Sequence, residues 1–161
     1  MMTNKNNFKS TFLTMLDKNS GEIMSAEMQL KLLLFDWVND VHSLDLKIVI
    51  LKYYHHTNQN ILHLEVYFRD EYLDKGLHTN VAFEKLITDF NNSLLRCSEA
   101  EEKAWFCIWM RKVIDFKIKS YEKLSFYAET LMMPEKAELF TKLKQREERS
   151  LLFLTSLTSL D

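Results

Sequence analysis

"SEAEEKAWFCIWMRKVIDFKIKSYEKLSFYAETLMMP", residues 98–134, reads as one uninterrupted helix between two punctuation marks. Ser98 followed three positions later by Glu101 has the spacing of a capping box, which satisfies amide hydrogens at a helix start. Pro134 cannot sit inside a helix, so it closes this one and suits the first position of the next. In between, Phe106, Met110, Val113, Lys117, Ser120, Leu124, Tyr127 and Leu131 recur at three- and four-residue steps. That spacing places them on one helix face, the face that packs against neighbours. Lys117 is the one charged residue in that stripe.

Working outward, the same periodicity predicts four more helices. The first runs from about Lys9 to about Asp40, with Leu16, Ile23, Leu30 and Trp37 at seven-residue spacing and Leu13, Ser20, Glu27 and Leu34 beside them. Asn19-Ser20-Gly21 weakens its middle, since glycine costs about 1 kcal/mol in a helix interior. The seven-residue phase survives that point, which predicts one long helix. The second runs from about Leu44 to Asp74, capped by Ser43 and stopped by Gly76, with Tyr54, Ile61 and Phe68 in one row and Ile50, Thr57 and Leu64 in the other. A shorter piece from about Asn80 to Ser93 is expected to take Thr79 as its cap. The last helix runs from about Pro134 to Ser156, with a stripe through Leu139 or Phe140, Leu143, Glu147, Ser150, Leu154 and Leu157.

The composition agrees. The chain has 161 residues, 47% of them hydrophobic, enough for one domain with a sizeable core. It contains two glycines and one proline, too few for the turns of a β-fold. The expected fold is all-α: one antiparallel four-helix bundle over residues 1–161, with a short crossover helix between two helical pairs and residues 1–7 disordered. A net charge of −2 without a concentrated basic face argues against nucleic-acid binding. The apolar runs "LLLF" and "IVIL" are too short to cross a bilayer, and "MMTNKNNFKS" carries no secretory signal. Cys97 and Cys107 form no metal or redox motif and read as thiols in a reducing compartment. The protein is therefore expected to be cytoplasmic.

The seams carry four polar residues near mid-helix: Glu27, Thr57, Lys117 and Glu147. In an antiparallel bundle such positions converge at similar depth. Two carboxylates and one ammonium are thus placed to share an interior layer, although each singly also suits a rim position with its charge in water. His55, His56, Asn60 and His63 lie nearby on the second helix; His55 and His56 are adjacent, so at most one faces inward. No Glu-x-x-His pair occurs, and a di-iron bundle site requires two. Glycine-rich phosphate loops, nucleophile elbows and catalytic triads are also absent, which leaves hydrolase and transferase readings without residues to carry them.

The chain resembles the YciE/YciF family of ferritin-like bacterial stress-response proteins. "EIMSAEMQL" (22–30) is similar to that family's Asp-Ile-Tyr-Asp-Ala-Glu-Lys-Gln-Leu run, and "TNQNILHLEVYF" (57–68) to Thr-x-x-Gln-Val-x-Arg-Leu-Glu-x-Val-Phe. "NVAFEKLITD" (80–89), "VIDFKIKSY" (113–121) and "PEKAELFTKLKQREERSLLFLTSL" (134–157) resemble three further segments, in order and over nearly the whole chain. The resemblance implies a ferritin-like bundle, a homodimer, and an interior site where acidic and histidine residues can bind metal. It also implies that the site has been rewritten. Glu27 and Glu147 stand at family glutamates and Arg146 replaces another. Ile114, Asp115 and Lys117 stand where the family shows Glu, His and Glu, and Tyr53, His55 and His56 replace a His and a Glu pair.

Two functional readings follow. In the first, the protein is a non-enzymatic, stress-associated bundle without cofactor, in which Lys117 bridges Glu27 and Glu147 with His56 or Tyr53 hydrogen-bonded alongside. In the second, Glu27, His56, Asp115 and Glu147 hold one iron, manganese or zinc ion, a donor mixture suited to such metals. Trp105 and Trp109 are expected in the core, with a dimer face as the other reading.

Overall fold

A computed structural model describes residues 2–70, 78–94 and 96–158. Its elements are α1 (Met2–Asp40), α2 (Leu44–Asp70), α3 (Val81–Leu94), a 3₁₀ turn (Glu99–Glu101), α4 (Glu102–Thr130) and α5 (Pro134–Thr158). There is no strand among the described residues. The architecture is a ferritin-like antiparallel four-helix bundle. The hairpins α1–α2 and α4–α5 are closed by three-residue links, which force neighbouring helices antiparallel. Helix α1 packs on α4 to join the hairpins, and α3 crosses between them against α4.

Helix α1 stays continuous through Asn19-Ser20-Gly21. Ser20 is buried there and returns its hydroxyl to the Leu16 carbonyl, so it leaves no orphan donor in the seam. The helix begins at Met2, earlier than the expected Lys9, so residues 2–7 belong to it rather than to a disordered tail. Ser43 caps α2 as expected, its Oγ accepting from the Leu46 amide at 3.3 Å. The expected end of α2 at Asp74, with Gly76 as its stop, lies outside the described residues.

Two caps differ from expectation. Helix α3 is capped by Asn80 rather than Thr79: Asn80 Oδ1 accepts from the Phe83 amide at 3.0 Å, while its amide nitrogen donates to Glu22 of α1. An Asx side chain reaches the third helical amide well. At residue 98 the chain first makes a 3₁₀ turn, and the Ser98 side chain makes no capping hydrogen bond; the Ser98 carbonyl takes the Glu101 amide instead.

The α4–α5 link is a Schellman closure. The Met133 amide donates to the Ala128 carbonyl and the Met132 amide to the Glu129 carbonyl, with Met132 at φ 58°. Glycine usually fills that left-handed position; here an exposed methionine does. Pro134 then opens α5.

The core follows the sequence stripes. Trp37 of α1 packs on Phe90 of α3 at 4.6 Å and on Phe106 of α4 at 4.9 Å. Trp109 lies buried in the same nest and ties α4 to α3 through Nε1 and the Leu86 carbonyl at 2.9 Å. Trp105 packs against Phe90 at its edge. These tryptophans thus serve the core rather than an outer face. On α5, Phe140 is the buried member of the Leu139–Phe140 pair.

A buried ion cluster as the candidate functional site

Four helices contribute one side chain or more to a polar layer inside the bundle. Lys117 of α4 is 2% exposed, Glu27 of α1 is 0% exposed and Glu147 of α5 is 2% exposed. Lys117 Nζ lies 3.0 Å from Glu27 Oε1 and 2.7 Å from Glu147 Oε1. From α2, the Asn60 amide donates to the same two oxygens, at 3.1 Å and 2.9 Å. From α4, one turn beyond Lys117, the Tyr121 hydroxyl donates to Glu27 Oε1 at 2.7 Å. Arg146 closes the network from outside by donating to Asn60 Oδ1 at 3.1 Å.

The layer is unevenly satisfied. Glu27 Oε1 receives three donors, while Glu27 Oε2 is buried without a hydrogen-bond partner among the described residues. Burial pushes the Glu27 carboxyl above its ordinary range and the charge of Glu147 adds to that, while Lys117 and the Tyr121 hydroxyl oppose it. Burial pulls the Lys117 ammonium down, but Glu147 and Glu27 outweigh it and hold the lysine above its ordinary range. Tyr121 is raised well above its ordinary value by burial and then by the two carboxylates, so it remains a phenol and a donor.

Three residues named from the sequence meet here: Glu27, Lys117 and Glu147. Three others, Asp115, His56 and Tyr53, do not join them. Asp115 is exposed, because a residue two positions from an inward Lys117 is rotated by about 200° to the far side of the helix. His56 is half-buried at the bundle edge and faces Ser150, with Nδ1 3.3 Å from Oγ. Tyr53 also turns to Ser150 and donates to its carbonyl at 2.9 Å. The place alongside the ions belongs to Asn60 and Tyr121. Asn60 sits one turn beyond Thr57 on the inner row of α2, and Tyr121 lies four residues after Lys117. These spacings carry the signal for both. Arg146 neighbours the inward Glu147, and only the length of its side chain brings it to Asn60.

These residues do not fit a two-metal centre. Among the described residues no three His, Cys, Asp or Glu side chains come together as a ligand set. The two carboxylate oxygens converge on the Lys117 ammonium.

No family model matches the sequence, and no curated protein sequence matches it. Solved structures do match its fold. The E. coli stress protein YciF superposes with a TM-score of 0.81 at 23% identity, covering 91% of this chain and 93% of its own. YcfI from Rhodopseudomonas palustris superposes with a TM-score of 0.82 at 18% identity, covering 89% and 92%. At these identities the likeness establishes a common fold.

Proposed function

We propose that this chain is a non-enzymatic YciE/YciF-like bundle, stress-associated as the similar E. coli fold is, in which a lysine takes the place of a metal. The observation that carries this reading is the Lys117 ammonium between Glu27 and Glu147. Two buried carboxylates facing each other repel, and a cation between them removes that repulsion. A metal supplies such a cation only when loaded; Lys117 supplies it from the chain. The bundle would then keep its shape independently of iron or manganese supply and act through its surface.

That surface includes an apolar strip. Leu32 (66% exposed) and Phe35 (57% exposed) project from α1, and Ile48, Leu51 and Leu62 from α2. The spacings 28, 32, 35 on α1 and 48, 51, 62 on α2 each define one face. The strip suits a second copy of the chain, giving a homodimer through the α1–α2 hairpins. A cytoplasmic location suits Cys97 and Cys107, which form no disulfide; among the described residues no helix is long and apolar enough to cross a membrane.

The test is elemental analysis of untagged protein from cells grown with added iron and manganese. Metal far below one ion per chain is the expected result. Lys117→Glu, which restores a third carboxylate, should gain iron or manganese. Near-stoichiometric metal in the wild-type protein would overturn the reading in favour of a reduced site built on Glu27 and Glu147.

A further inference from the structure

A second polar site lies outside the ion layer, in the groove between α2 and α5. It is a cavity of about 380 Å³ whose polar lining is Lys52, Tyr53, His56, Arg146, Arg149 and Ser150. Three of these are basic side chains, Lys52, Arg146 and Arg149, and none is a carboxylate. Among the described residues none of the three cations has an ion-pair partner. Three cations sharing one groove give it a positive potential that favours an anion.

The groups are held in place. Lys52 Nζ rests 3.4 Å over the ring of Phe153, at the cavity wall. Arg149 is braced by Nε to the Gln145 carbonyl at 3.4 Å. Arg146 is braced by its bond to Asn60. Ser150 is buried at the floor, its carbonyl taken by Tyr53 and its hydroxyl beside His56. Glu147, next to Arg146 in the chain, is already engaged by Lys117 and Asn60.

We propose that this groove binds a phosphate dianion, free or as the phosphomonoester of a small metabolite, with Arg146, Arg149 and Lys52 as its cationic contacts and the Ser150 hydroxyl at its floor. Guanidinium groups present paired donors that match phosphate oxygens, and charge-assisted bonds of this kind are among the stronger ones. The volume leaves space for an organic portion beyond the phosphate itself. Occupancy would be communicated inward, because Arg146 holds the Asn60 amide that contacts both buried carboxylates. The site shares no residue with the dimer strip.

Calorimetric titration of the full chain tests this, with inorganic phosphate in one arm and a simple alkyl phosphomonoester in the other, against sodium chloride at matched ionic strength. Saturable one-site binding is expected in at least one arm; the tighter arm identifies the source. Arg149→Gln should weaken it about tenfold, the loss of one charge-assisted contact. Lys142→Gln, on the exposed face of α5, should leave it unchanged. Failure of both arms to saturate, or equal weakening by Arg149→Gln and Lys142→Gln, would overturn the proposal. Unaltered helical circular dichroism of both variants keeps a folding defect from being read as lost binding.

Discussion

Tyr121 donates to Glu27 Oε1 at 2.7 Å, onto the oxygen that already receives Lys117 and Asn60. Three donors crowd one oxygen while the other has none, and two carboxylates face a single ammonium. The cluster offsets only part of its negative charge and satisfies its hydrogen bonds unevenly. Removing one member and removing all of them should therefore have opposite consequences.

Lys117→Met leaves Glu27 and Glu147 buried without their cation and should destabilise the fold by about 3–5 kcal/mol. Replacing the set together with its buried donors, as Glu27→Leu, Asn60→Leu, Lys117→Met, Tyr121→Phe and Glu147→Leu, should range from neutral to about 1–4 kcal/mol stabilising, because the desolvation cost vanishes with the charges and no donor is left without an acceptor. Urea denaturation midpoints measure both. A single variant as stable as wild type would mean that the ammonium is not needed for the fold.

Glu27 gives a pH signature. Its folded-state value is raised above the ordinary 4.5, so the native state holds its proton more tightly than the unfolded chain does. The stability this contributes is complete below the unfolded value and is lost as pH rises through the folded one. Glu27→Gln imitates the protonated acid at every pH. The variant should match wild type near pH 4.5 and become relatively more stable as pH increases. Parallel wild-type and variant stability curves across that range would contradict the assignment.

The hairpin strip predicts an assembly. Wild-type protein should sediment at twice the chain mass, and the double variant Phe35→Asp, Leu51→Asp should sediment as a single chain with its helical signal intact. Both side chains are largely exposed in one chain, so folding should tolerate the change. A wild-type monomer at high micromolar concentration would remove the second copy from the account.

Met132 predicts a local gain. A left-handed non-glycine residue costs about 1–2 kcal/mol, and glycine returns roughly half of that relief to the unfolded chain as entropy. Met132→Gly should thus stabilise the fold by about 0.5 kcal/mol or somewhat more, whereas Met132→Ile, branched at Cβ, should destabilise it. Thermal melts of the two variants should bracket wild type.

The bundle was readable because its seams repeat. Leu16, Ile23, Leu30 and Trp37 are all buried, as their seven-residue spacing requires, and Glu27, Lys117 and Glu147 came from the same periodicity. Periodicity fixes a face but not depth or reach. His56 and Tyr53 lie on the right helix yet one and two turns from the ion layer, where the Ser150 hydroxyl and backbone compete for them. Asp115 was suggested by resemblance alone, and helical rotation excludes it once Lys117 points inward. Thr79 and Asn80 are both plausible caps by type; the Glu22 carboxylate on a distant helix favours Asn80, and no local pattern contains that partner.

The ion layer also indexes the helices lengthwise. Leucine and isoleucine rungs spaced by seven look much alike from one turn to the next, so apolar contacts alone would tolerate a slide of about 5.4 Å along the axis. Glu27, Lys117, Glu147 and Asn60 come from four helices and meet at a single height. Shifting any one helix by a turn would strand its charge or amide opposite hydrocarbon. The layer works as a keyway, rejecting misaligned bundles that oil alone would accept.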